Sequence, residues 1–119
     1  MKQLNQNDIS AIIAHSIIWK HSRSSGHGGQ NVNKRETKAE GYFDVDSCKE
    51  LDNEQKKWLH DAYHNHISKK WIIRLTCQEQ RNYHQNLSIL KKHYKILLET
   101  LWKELVFEHL HHHRKKKHH

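Results

Sequence analysis

The sequence predicts a small α+β domain: a short, mostly antiparallel sheet with helices on one face, ending in a long C-terminal helix. Three observations carry this. Residues 37–45 and 71–77 alternate side chains with the two-residue period of a half-buried strand. Residues 87–105 instead repeat apolar side chains at the three- and four-residue intervals of a helix. Between them, Asp52 and Gln55 stand at the spacing of a capping box. A chain of 119 residues suffices for one such domain with a single modest core.

Taken in order, Asp8 is suited to cap a short helical turn over 9–14. Ile17, Ile18 and Trp19 form a β-prone run that leads into the polar stretch Ser22-Arg23-Ser24-Ser25-Gly26. In the next strand Thr37, Ala39, Gly41, Phe43 and Val45 share one face, and Lys38, Glu40, Tyr42 and Asp44 the other. Gly41 there marks either a bulge or a close contact. Trp58, Leu59, Ala62, Tyr63 and Ile67 give the helix that opens at Asp52 an apolar stripe. Trp71, Ile73, Leu75 and Cys77 then alternate with Ile72, Arg74 and Thr76 in a second strand. Leu87, Leu90, Tyr94, Leu97, Leu98, Leu101, Trp102 and Leu105 mark the long helix, and a stripe of this kind is ordinarily core. Residues 111–119 read as a disordered tail of histidines and Arg114-Lys115-Lys116-Lys117, which leaves 1–110 as the domain proper.

Charge narrows the partners. Lys and Arg number 21 against 13 Asp and Glu, a formal +8 that favours a polyanion. Half of the excess sits in the four cations of the tail. Two cysteines, Cys48 and Cys77, with no C-x-x-C pair argue against a disulfide scaffold or a cysteine-rich zinc site. No apolar stretch approaches the roughly 20 residues that span a bilayer, and the first eight residues lack the apolar core of a signal peptide. A cytoplasmic protein that needs neither membrane nor cofactor is the expectation.

The most informative run is Ser25-Gly26-His27-Gly28-Gly29-Gln30-Asn31-Val32-Asn33-Lys34, which holds three of the four glycines. Glycines let a backbone approach another molecule closely, and successive N–H groups in such a loop can converge on a negatively charged oxygen. The run resembles the Gly-Gly-Gln loop of class I peptide release factors and their short relatives, the ribosome-rescue peptidyl-tRNA hydrolases of the alternative ribosome-rescue factor B type. The likeness extends over roughly residues 16–106. It includes Ser22 to Gly26 before the loop, Thr37 after it, a strand ending Phe43-Asp44-Val45, and Gln78-Glu79-Gln80-Arg81 with His84-Gln85-Asn86 where the family's last strand meets its last helix.

The resemblance implies a flexible loop on an α+β domain that hydrolyses the peptidyl-tRNA ester inside the ribosome's peptidyl-transferase centre. The partners implied are the ribosome and peptidyl-tRNA, with the protein acting as a monomer. Gly28, Gly29 and Gln30 would carry the chemistry: the Gln30 backbone N–H is the candidate donor to the developing oxyanion, and its side chain would admit water while excluding larger nucleophiles. Asn31, Asn33, Lys34 and Arg23 suit phosphate or ribose contacts, although Arg23 fits a solvated loop residue equally well. Val32 reads as a packing anchor. Relatives usually carry a small residue or proline at the place of His27, and Arg-Ser-Gln where this chain has Arg81-Asn82-Tyr83. Short relatives also thread a basic tail into the empty mRNA channel, and here Arg114, Lys115, Lys116 and Lys117 would play that part without any proline in the chain.

Two other readings stand beside it. A Gly-Gly-Gln domain with a basic surface could dock on ribosomal RNA without catalysing release. His60 and His64 lie one helical turn apart, a spacing that can hold zinc, but a third ligand and the usual glutamate after the first histidine are missing. A solvated helix face accounts for that pair, and no metal is expected.

Overall fold

The computed structural model describes residues 3–23 and 37–117, the side chains at 102, 108, 109 and 111–117 excepted. Among these residues the order is α1 (Gln6–His15), β1 (Ile17–Ser22), β2 (Lys38–Asp44), α2 (Asn53–Ala62), β3 (Ile72–Cys77) and α3 (Tyr83–Lys117). The three strands form one antiparallel sheet in the order β1-β2-β3.

The sheet has two unlike faces because its residues alternate. Ile17, Ala39, Phe43, Ile73 and Cys77 point inward and are buried. They meet Leu90, Tyr94, Leu97, Leu98, Leu101 and Leu105 of α3, the periodic stripe of the long helix. Ile9 and Ile12 of α1 and Leu59 of α2 complete the core on the same side, so all three helices lie on one face. The other face is open, with Lys20, Arg74 and Thr76 exposed and Ile18 at 62% exposure.

Gly41 is a close contact and not a bulge. The β1–β2 register runs unbroken through Trp19↔Gly41. A Cβ at Gly41 would stand 2.8 Å from both Trp19 Cζ3 and Tyr94 Cε2, so only glycine lets the two rings close over β2. Trp19 and Tyr94 meet edge to face at 5.6 Å, and Phe43 meets Tyr94 likewise at 6.1 Å. The buried Tyr94 hydroxyl donates to the Gly41 carbonyl at 2.9 Å and is 3.1 Å from that of Ile73, tying α3 to two strands.

Caps explain where the helices begin. Asn5, and not Asp8, is the N-cap of α1; Asp8 is the partner three residues on whose carboxylate accepts from the Asn5 N–H. The Asp52–Gln55 box stands as the spacing predicts, with both reciprocal bonds at 2.8 Å. α2 stops at Ala62, so Ile67 lies outside it and instead bridges to Ile73. Trp71 precedes β3 with φ 64°, and its ring packs against His60 at 4.2 Å.

α3 differs from expectation at its end. The segment expected to be a disordered tail from 111 continues the helix through Lys117. No Gly or Pro interrupts residues 83–117. Lys and Arg are good helix formers, and cations near a helix C-terminus meet the negative end of its dipole. Leu105 is the last buried side chain among those described in this helix, and Leu110 is already 58% exposed.

Candidate functional site at the β1–β2 connection

Residues 23–37 join β1 to β2, and 24–36 of them lie outside the described residues. Gly28, Gly29, Gln30, Asn31, Val32, Asn33, Lys34 and His27 all fall within them and lie outside the described residues. What is described is the frame that holds the two ends of that connection. The ladder closes at Ser22↔Lys38, with neighbours His21↔Ala39 and Lys20↔Glu40 behind it. Paired strand residues keep their Cα atoms roughly 4.5–5.5 Å apart, so the connection starts and finishes on a narrow, fixed base. Arg23, the one expected RNA contact on this frame, is exposed just beyond the end of β1.

Asn86 pins the returning end. Its side chain is fully buried. Nδ2 donates to the Thr37 carbonyl at 2.7 Å and to the Gln80 carbonyl at 3.0 Å. Oδ1 accepts from the Gln80 N–H at 2.8 Å and from the Cys77 thiol at 3.6 Å. An amide has two donors and one acceptor oxygen with two lone pairs, and here each is used. One side chain of α3 therefore couples the end of β3, the turn after it and the residue that enters β2.

The turn itself is shaped by Asn82. Its side-chain oxygen accepts from the N–H groups of His84 at 2.7 Å and Gln85 at 3.2 Å, which makes it the N-cap of α3. Tyr83 follows, packed in part on the core, and its ring meets His21 of β1 at 5.2 Å and His84 at 5.4 Å. Neither role was singled out from the sequence. Asn82 followed by Gln85 three residues on is a helix-start pattern that could have found the cap. No sequence signal pairs His21 with Tyr83, because the contact depends on the strand order.

On the open face, Glu40 stands two positions in from the ladder's end. Burial pushes its carboxyl up, but hydrogen bonds from Arg74 and Ser22, the Arg74 charge and the Tyr42 hydroxyl outweigh that and hold it below the usual 4.5. Arg74 Nε donates to Glu40 at 2.9 Å, and Nη2 donates to the same oxygen. The only strongly buried acid near the base of the connection is thus neutralised among the described residues, which favours the approach of an anion.

The remaining expected sites separate from this frame. Arg114, Lys115, Lys116 and Lys117 fall on the last turns of α3, at the far end of the helix from Asn86. His60 stacks on Trp71, and His64 lies beyond the end of α2 with its Nδ1 3.1 Å from the Asp61 carbonyl oxygen. The described residues hold no group of three or more His, Cys, Asp or Glu placed to bind a metal. Cys48 and Cys77 are free and buried, and burial raises both thiols. No helix among the described residues is long and apolar enough to cross a membrane. No protein-family model matches the chain, and no curated protein matches it.

Proposed function

We propose that this protein is a ribosome-dependent peptidyl-tRNA hydrolase that frees nascent chains from stalled ribosomes without reading a codon. The observation that carries the reading is the run Gly28-Gly29-Gln30-Asn31-Val32-Asn33-Lys34, which occupies the connection between two paired strands. The clamped ends support it, since a loop that must present one backbone N–H to a reacting oxygen gains from a rigid base. The net charge of +8 supports an RNA-rich partner.

In the proposed reaction, water attacks the carbonyl carbon of the ester that joins the peptide to the 3′-terminal ribose. Negative charge grows on the carbonyl oxygen, where the Gln30 N–H donates. The ester C–O bond then breaks and the ribose oxygen takes a proton, leaving a free peptide acid and a free tRNA. One preorganised donor of this kind contributes about 3–4 kcal/mol to the barrier, and the ribosome supplies the surrounding site. Gly28 and Gly29 permit the backbone to reach the ester. Arg23, Asn31, Asn33 and Lys34 hold nearby phosphates or riboses, and Arg114 to Lys117 direct the protein toward ribosomes with an empty mRNA channel.

The test is peptide release from ribosomes stalled on truncated mRNA, compared with ribosomes paused on a long downstream message. Release from the truncated complex is expected, with Gln30→Pro, which removes the donating N–H, lowering the rate roughly 100-fold or more, and Gln30→Ala and Gly29→Ala lowering it as well, all at nearly unchanged ribosome binding. Binding without release by the wild type would instead make this a docking protein for ribosomal RNA, without hydrolysis.

A further inference from the structure

We infer that Tyr83, flanked by His21 and His84, is a stacking platform for unpaired RNA bases beside the β1–β2 connection. Three rings from two elements meet there, with Tyr83 at 5.2 Å from His21 and 5.4 Å from His84. His21 and His84 are exposed, and Tyr83 is half-buried, so the cluster has a wet side as well as a packed one. Both imidazoles meet the Tyr83 ring edge to face, at interplanar angles of 69° and 64°.

The surroundings fit a nucleic acid strand. Arg23 follows His21 by two residues and Arg81 precedes Tyr83 by two, and both are exposed. Glu79, the acid of this turn, is turned onto the Cys77 thiol at 3.5 Å. Unpaired bases stack on aromatic and histidine rings because every base has a π face, while neighbouring cations follow the phosphates. The platform is also rigid. Asn82 caps the helix that carries Tyr83 and His84, Asn86 locks the turn before it, and His21 sits inside the β1–β2 ladder.

The inference leans on the proposed function only for the origin of the RNA, and its test needs no ribosome. Fluorescence anisotropy would follow binding of a labelled six-nucleotide single-stranded RNA and of its abasic counterpart, which keeps the phosphates and lacks the bases. The wild type is expected to bind the base-bearing strand about tenfold more tightly than the abasic one. Tyr83→Phe keeps that preference, whereas Tyr83→Leu reduces it to threefold or less, at an unchanged salt slope. Because Tyr83 also packs on the core, His84→Leu at the exposed flank is the second variant, expected to lose about threefold without a change in melting temperature. Gln30→Ala leaves all of these values unchanged, which keeps the result distinct from the outcome of the release assay. Equal binding of the two strands by the wild type, or a preference that survives both Tyr83→Leu and His84→Leu, overturns the platform.

Discussion

The Asn86 side-chain amide donates to the Thr37 carbonyl at 2.7 Å, joining the first turn of α3 to the residue where the β1–β2 connection returns to the sheet. The same amide holds both backbone polar groups of Gln80. Asn86→Ala removes all of these partners from buried ground and is expected to cost about 2–3 kcal/mol in denaturant unfolding. Asn86→Asp keeps the acceptor for the Gln80 N–H but loses both donors and buries a charge, so it should be no better. If Gln30 acts as proposed, release should fall further than ribosome binding in a variant that still folds. A variant with native stability would show that the amide does not hold the base of the connection.

Gly41 tests the packing behind the strands. With 2.8 Å to Trp19 Cζ3 and 2.8 Å to Tyr94 Cε2, a methyl group has no room unless a core ring moves. Tyr94 is completely buried and its hydroxyl donates to the Gly41 carbonyl with that of Ile73 close by, so it cannot yield cheaply. Gly41→Ala is expected to destabilise by about 1–3 kcal/mol, read as a fall in melting temperature of several degrees. Tyr94→Phe is the companion change. It keeps the ring contacts and loses only the hydroxyl, at about 1 kcal/mol.

How much of this could be read in the sequence depended on whether the signal was local. The inward faces of β2 and β3 follow from strict alternation, and the buried stripe Leu90, Tyr94, Leu97, Leu98, Leu101 and Leu105 from helical spacing. The Asp52–Gln55 box was legible for the same reason. The sequence does not separate Asp8 from Asn5 as the cap, because two acceptors stand three apart and each can play either part of a capping box. The end of α3 is not legible in the sequence because polar, basic composition signals a solvated segment without saying whether its backbone is helical. Asn86, the residue that ties the candidate site together, was visible only as part of a resemblance. Its role needs Thr37, 49 positions away, to be brought beside it.

Glu40 links stability to pH. Its folded-state carboxyl is held below the usual 4.5 by Arg74 and Ser22 against the opposing effect of burial. A depressed carboxyl contributes stability that is fully present above the unfolded value and is lost as pH falls through the folded one. Thermal melts from pH 7 to pH 3 should therefore show stability that declines below about 4.5. Glu40→Gln is expected to melt lower than the wild type at pH 7 and to lose less on acidification. Arg74 is half exposed, so solvent screening keeps the effect modest. Parallel pH curves for the two proteins would show that Glu40 is not the group responsible.

The basic end of α3 is testable through salt. Each phosphate contact made by a cation steepens the log–log dependence of binding on salt by about 0.7–0.9. Deleting 111–119 removes Arg114, Lys115, Lys116 and Lys117 while leaving Leu105, the last buried side chain described in α3, in place. The truncated protein is expected to keep its melting temperature and to bind ribosomes with a slope reduced by about 3, if all four cations meet phosphate. Its release activity on truncated-message ribosomes should fall at physiological salt and recover in part at low salt, where the remaining cations suffice. An unchanged slope would remove the tail from ribosome binding altogether and leave the surface around the β1–β2 connection to account for it.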